Sequence, residues 1–155
     1  MIPKSLLIDR VTLNGFRRRA MRKFPREYIE EMWGEIQDGM ARVYVLQPLM
    51  HKSTRMEICY SADDLDYEFG GNDGKMMLLG TIHTHPNAWC VPSVCDIETA
   101  IKDGEICYGI LSLFTWKHRK FTALGFWGRN GNPLQTFIGE KFDTRAGKPS
   151  RRNPQ

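Results

Sequence analysis

Leu13, Phe16, Ala20 and Phe24 recur three or four residues apart near the start of the chain, with Arg17, Arg18, Arg19 and Arg22 in the gaps. That spacing puts the apolar groups on one side of a helix and the arginines on the other, which predicts a helix over about residues 11 to 23. Pro25 stops it, because its ring disfavours helical geometry in the residue before it. The next segments, "REYIEEMWGEI" and "ARVYVLQPL", are rich in β-formers and flank the Asp-Gly turn signal of "QDGM", so they read as a hairpin. "MEICYS" is expected to be a further strand, and the acidic, glycine-rich stretch up to Gly74 a loop. "KMMLLGTIHTH" is apolar enough for a central strand. A second helix is expected in "VCDIETAIKDG", closed by Asp103-Gly104. "ICYGILSLF", "KFTALGFW" and "LQTFIG" follow as strands, with "WKHR" and "GRNGNP" as turns. Phe121, Phe126 and Trp127 are expected in the core. The sum is an α/β (α+β) architecture, a mixed sheet flanked by about two helices.

Composition narrows this picture in three ways. A chain of 155 residues suits one domain with one core, and residues 1 to 140 are assigned to it. The basic, Pro/Gly-rich stretch 141–155 is expected to be a disordered tail. No apolar run approaches the ~20 residues of a membrane helix, and "MIPKSLLIDR" has too short an apolar run for a signal peptide. A cytoplasmic protein without membrane contact is expected. Cys59, Cys90, Cys95 and Cys107 contain no C-x-x-C pair, so reduced thiols are expected.

Charge is uneven. Residues 16–26 hold six basic residues and no acidic one, while 61–74 hold five acidic residues and no basic one. A basic helix can bind nucleic acid or an acidic protein, although a solvated helix face is the commoner outcome. Nucleic acid is therefore carried only as a possible partner of the 16–26 helix.

The candidate chemistry lies in "GTIHTHPNAWCVPSVCD", residues 80–96. On a strand, His83 and His85 point to the same side and Thr84 to the other. Pro86 ends the strand directly after them. Ser93 and Asp96 have the S/T-x-x-D/E spacing of a helix capping box. Each half has an ordinary reading: a satisfied or solvent-facing histidine pair, and a capped helix. Placed side by side they offer two nitrogens and a carboxylate, the three-ligand pattern of a catalytic zinc site with one position left for water. Cys90 and Cys95 lie close by, but the set is complete without them, and a free buried thiol is their simpler role. Trp89 is either a wall of a substrate groove or a packed loop aromatic. His51 and His118 sit in polar turn contexts and are expected at the surface.

His83-x-His85-Pro86, seven residues to Ser93 and two more to Asp96 resemble the JAMM motif of the JAB/MPN+ metalloprotease family, with no change of spacing. The resemblance extends over roughly residues 8 to 128, from the first helix and "FPRE" to "FTALGFW". It implies one catalytic Zn²⁺ held by His83, His85 and Asp96, with Ser93 donating a hydrogen bond to the oxyanion. It also implies a glutamate from an early strand as general base. The family's usual run places that glutamate at Glu27, between Pro25 and Gly34, although Glu30 stands where a glycine is usual. A second register, "EMWG", would make it Glu31. Glu27 is preferred. The substrate implied is the bond after the C-terminal Gly-Gly of ubiquitin or a ubiquitin-like protein, and the acidic loop 61–74 falls about where deubiquitinating relatives carry a substrate-binding insertion. Two other readings remain: a processing protease of the same fold acting on a sulfur-carrier or phage protein, and a non-catalytic binding scaffold. A nucleoside deaminase is disfavoured because H-x-E…P-C-x-x-C is absent. The compact chain resembles prokaryotic or viral members, without the extra Cys/His cluster of some eukaryotic ones.

Overall fold

The structure is a computed structural model and describes residues 2–48 and 77–140. "MEICYS", the loop 61–74, His51, Cys59 and the tail 141–155 lie outside the described residues. The chain opens on a strand that the apolar pattern alone does not announce, β1 (Ser5–Asp9), with Leu6 and Ile8 fully buried. Asp9 then caps helix α1 (Arg10–Lys23), accepting from Thr12 N at 2.6 Å. Leu13, Phe16 and Ala20 face inwards as expected.

Strands β2 (Ile29–Gln37) and β3 (Met40–Pro48) form the expected hairpin around Asp38 and Gly39, whose φ values of 53° and 77° are those of a two-residue hairpin turn. β2 runs through Gly34. A Cβ on Gly34 would meet the Arg42 carbonyl oxygen at 1.7 Å, so the backbones can cross at the local bulge only with glycine. Next come β4 (Met77–Pro86), helix α2 (Val94–Asp103), β5 (Cys107–Trp116), β6 (Arg119–Gly128) and β7 (Gln135–Gly139).

Among the described residues, seven strands form one mixed sheet in the order β6-β5-β4-β2-β3-β1-β7. β4 lies inside it, antiparallel to β2 and parallel to β5, the parallel step being bridged by α2. The helices cover opposite faces. Leu13, Phe16 and Ala20 of α1 join the main core cluster with Ile82, Leu111 and Leu113. Ala100 of α2 packs with Tyr108 and Ile110, residues of the opposite parity on β5. Phe126 is buried and Trp127 half-buried, but Phe121 is 45% exposed. It belongs to the tip of the β5–β6 hairpin, where residues 115–122 are all exposed, so the expectation of a core role fails there. No helix among the described residues is long and apolar enough to cross a membrane.

Candidate metal centre

β4 ends where the sheet meets the start of α2, and that junction brings the sequence motif together. His83 pairs with Ile29 of β2 and with Ile110 of β5, so it sits inside the sheet at its open end. α2 begins with both halves of a capping box. Asp96 N donates to Ser93 Oγ at 3.0 Å, and Ser93 N donates to Asp96 Oδ2 at 2.8 Å. The cap turns the Asp96 carboxylate towards β4. Its Oδ1 lies 3.3 Å from His83 Nε2 and its Oδ2 3.2 Å from His85 Nε2. The two Nε2 atoms are 3.2 Å apart.

These distances can be read against coordination geometry. A tetrahedral ion with bonds of about 2.0–2.1 Å needs its ligand atoms about 3.3–3.4 Å apart; the two Nε2 atoms stand near that spacing, and each meets a different oxygen of the Asp96 carboxylate at 3.2–3.3 Å. His85 Nδ1 is 2.9 Å from the Trp89 carbonyl oxygen, which can only accept. Nδ1 therefore carries a proton, the outer hydrogen bond that metal-binding histidines usually make, so Nε2 donates to Asp96 when the ring is charged and offers its lone pair to a cation when the ring is neutral. Burial opposes ionisation of Asp96. The hydrogen bonds from His83, His85 and Ser93 N–H outweigh it and hold the carboxyl well below the usual range. His85 is raised, chiefly by its hydrogen bond to Asp96 and against its own burial. Among the described residues, His83, His85 and Asp96 are the one group able to hold a metal ion. The donor set fits a divalent cation.

The three glutamates of "PREYIEE" separate. Glu30 is fully buried on the α1 face, where Arg19 Nε and Nη2 (2.5 and 2.9 Å) and the Tyr28 hydroxyl (2.5 Å) hold it. Glu27 and Glu31 belong to the metal side. Thr84 N donates to Tyr28 O, which extends the β2–β4 pairing and puts Glu27 opposite His85. Glu27 is exposed, and its charge helps raise His85. Glu31 pairs with Thr81, is 6% exposed, and accepts from Trp33 Nε1 at 3.0 Å.

Glu31, Thr81, His83, Asp96, Glu105 and Tyr108 line a cavity of about 410 Å³ between α2 and the sheet. The Thr81 hydroxyl donates to Glu105 at 2.6 Å, and burial raises the Glu105 carboxyl. The Tyr108 phenol, pushed up to about 12 by burial, makes no hydrogen bond. No spacing in the sequence pointed to Thr81, Glu105 or Tyr108, or to the Trp89 carbonyl. They reach the site through β4–β5 pairing and the turn after Pro86.

Trp89 is 74% exposed, with its ring meeting Phe114 edge-on at 5.3 Å. Cys90 packs beside Ala100, Cys95 is exposed, and Cys107 is buried and pushed up to about 12 by that burial. All three thiols are free, and none belongs to the metal-holding group. His118 is in a surface turn, as expected.

The fold is shared with known proteins. Solved structures with this fold include a JAB1/MPN domain protein from Archaeoglobus fulgidus, 19% identical, covering 86% of this chain and 98% of that one with a TM-score of 0.57. A protein from Desulfitobacterium hafniense solved in solution is 16% identical, covering 91% and 97%, also with a TM-score of 0.57. A structure described as a metalloprotease-like zinc site in the proteasome and signalosome is 18% identical, covering 86% and 98%, with a TM-score of 0.51. No curated protein matches the chain significantly by sequence. Residues 10–125 match the family described as prokaryotic homologs of the JAB domain, which is most of the chain, and the protein belongs to that family.

Proposed function

We propose that this protein is a zinc-dependent peptidase or isopeptidase that cleaves after the C-terminal Gly-Gly of ubiquitin or a ubiquitin-like protein. The observation that carries the catalytic part is the convergence of His83 Nε2, His85 Nε2 and the Asp96 carboxylate within 3.3 Å of one another, with His85 Nδ1 engaged by the Trp89 carbonyl. The substrate part rests on the family resemblance. His83, His85 and Asp96 would hold the ion. A zinc ion held there would supply a Lewis acid, making a water easier to deprotonate near neutral pH and the scissile carbonyl easier to attack.

The rest falls to the chain's own groups. Glu27, opposite His85 at the open end of the sheet, takes the proton of the attacking water and returns it to the leaving amine. Glu31 lies four residues further along the chain, two pleat repeats deeper, and is already held by Trp33, so it is the poorer base. At the cap, Ser93 uses a lone pair to accept from Asp96 N. Its own hydroxyl proton stays free to be donated to the oxyanion of the tetrahedral intermediate. The exposed Trp89 ring walls the approach to the ion.

The test is cleavage of a panel of Gly-Gly-linked ubiquitin and ubiquitin-like fusions by the zinc-loaded protein, beside His83→Ala. Cleavage after Gly-Gly by the wild type alone supports the reading. Zinc binding without cleavage of any member contradicts the substrate, and failure to bind zinc contradicts the mechanism.

A further inference from the structure

Trp116, Lys117, His118, Arg119, Lys120 and Phe121 are six consecutive residues, each aromatic or basic. They form the tip of the β5–β6 hairpin, and all six are exposed. Lys117 and His118 make the turn itself, with left-handed φ values of 48° and 64°. Asn and Gly are the residues such turns prefer, so the apex carries basic side chains in place of the favoured ones. On one face Trp116 lies opposite Arg119, and the Trp116 and Phe121 rings are 6.5 Å apart. Lys117 Nζ sits 4.5 Å over the Trp116 ring. On the other face Lys120 Nζ is 5.5 Å from the Phe24 ring, which joins the tip to the end of α1. Arg22, Lys23 and Arg26 are exposed there. Neither segment supplies a counter-charge: residues 10–26 and 106–139 contain no Asp or Glu.

Exposed rings ringed by cations call for a ligand that is anionic and also offers flat apolar faces. A nucleic-acid strand has both, since its phosphates meet the cations and its bases stack on the rings. An acidic protein face matches the charge, but a stable protein interface buries roughly 800 Å² per partner around an apolar core. A two-stranded ribbon with two exposed rings at its tip offers little of that core. We propose that the β5–β6 tip, together with the end of α1, binds single-stranded nucleic acid, with bases on Trp116 and Phe121 and phosphates along Lys117, Arg119, Lys120, Arg22, Lys23 and Arg26. The site is independent of the metal centre and stands whatever that centre cleaves.

The probe is a fluorescein-labelled dT20 strand, titrated with the full chain and followed by anisotropy. Six phosphate contacts imply a salt slope near −4, at about 0.7 per contact, hence a loss of roughly two orders of magnitude or more between 50 and 200 mM salt. W116A/F121A should weaken binding about tenfold or more with the slope unchanged, since stacking contributes about 1–3 kcal/mol per base. K117E/R119E/K120E should abolish it. All five positions are exposed, and circular dichroism checks that the variants fold. Three outcomes overturn the proposal: no binding by the wild type at 50 mM salt, binding that survives the charge reversal, or binding indifferent to the loss of both rings. Equal displacement of dT20 by poly-glutamate of similar length also overturns it, in favour of an acidic protein partner.

Discussion

The two faces of the sheet use charge in opposite ways. On the α1 face, Glu30 is fully buried and every contact it makes is complementary, an acceptor meeting donors from Arg19 and Tyr28. On the α2 face, His83 and His85 aim ring nitrogens at each other at 3.2 Å, and both meet the Asp96 carboxylate. Three acceptors in one place satisfy one another only by taking up a proton or a cation. Buried charge by itself therefore does not mark a site. What marks it is a set of groups that are poor partners for each other and good partners for something else.

If the α2 face is the working one, the largest effect on rate should come from Glu27. Glu27→Gln should lower turnover by about 10²–10⁴-fold, the usual contribution of a general base, while zinc content stays at the wild-type level. Glu31→Gln should cost far less, and the reverse ranking would move the base to Glu31. On the other face the matching experiment is structural. Arg19→Ala strands a buried carboxylate and should cost about 2–4 kcal/mol of stability in urea titrations, somewhat below the ~3–5 kcal/mol of fully buried broken pairs because Arg19 is one-third exposed. Zinc bound per folded chain should not change. If it does, the two faces are not independent.

Ser93→Ala touches both roles at once. It should reduce rate by about 10²–10³-fold through the lost oxyanion donor and stability by about 1 kcal/mol through the lost cap. A variant slow in proportion to its instability alone would leave Ser93 as a cap only. The smallest effect is expected at Glu105, whose carboxyl is raised in the folded chain by burial. A raised carboxyl favours the protonated form, so its contribution is complete below the unfolded pKa and is lost as pH rises through the folded one. Glu105→Gln should gain stability on the wild type at pH 7 and lose that advantage at pH 4, measured by denaturation at both.

The features legible in the sequence were those fixed by neighbours along the chain. The α1 period, the Asp38-Gly39 turn, the Ser93–Asp96 cap and the His83/His85 parity all depend on residues a few positions apart, and all appear. β1 did not, because five residues gain their meaning from parallel pairing with residues 40–43 and 135–139. Phe121 misled for the opposite reason. The apolar, strand-like stretch that follows it looks like core, but Phe121 itself sits at the exposed tip of the hairpin, among residues 115–122 that are all exposed. Between Glu27, Glu30 and Glu31, spacing could only rank the candidates. The register of β2 against β4 sends Glu30 to the far face and ties it to Arg19.

The most direct measurement is zinc stoichiometry under chelator competition for the wild type and Asp96→Asn, which keeps the helix cap but removes the charged ligand. One tightly held zinc per wild-type chain, with none retained by the variant, is the expected result. A wild-type chain that yields its zinc as readily as Asp96→Asn would contradict a metal centre at His83, His85 and Asp96.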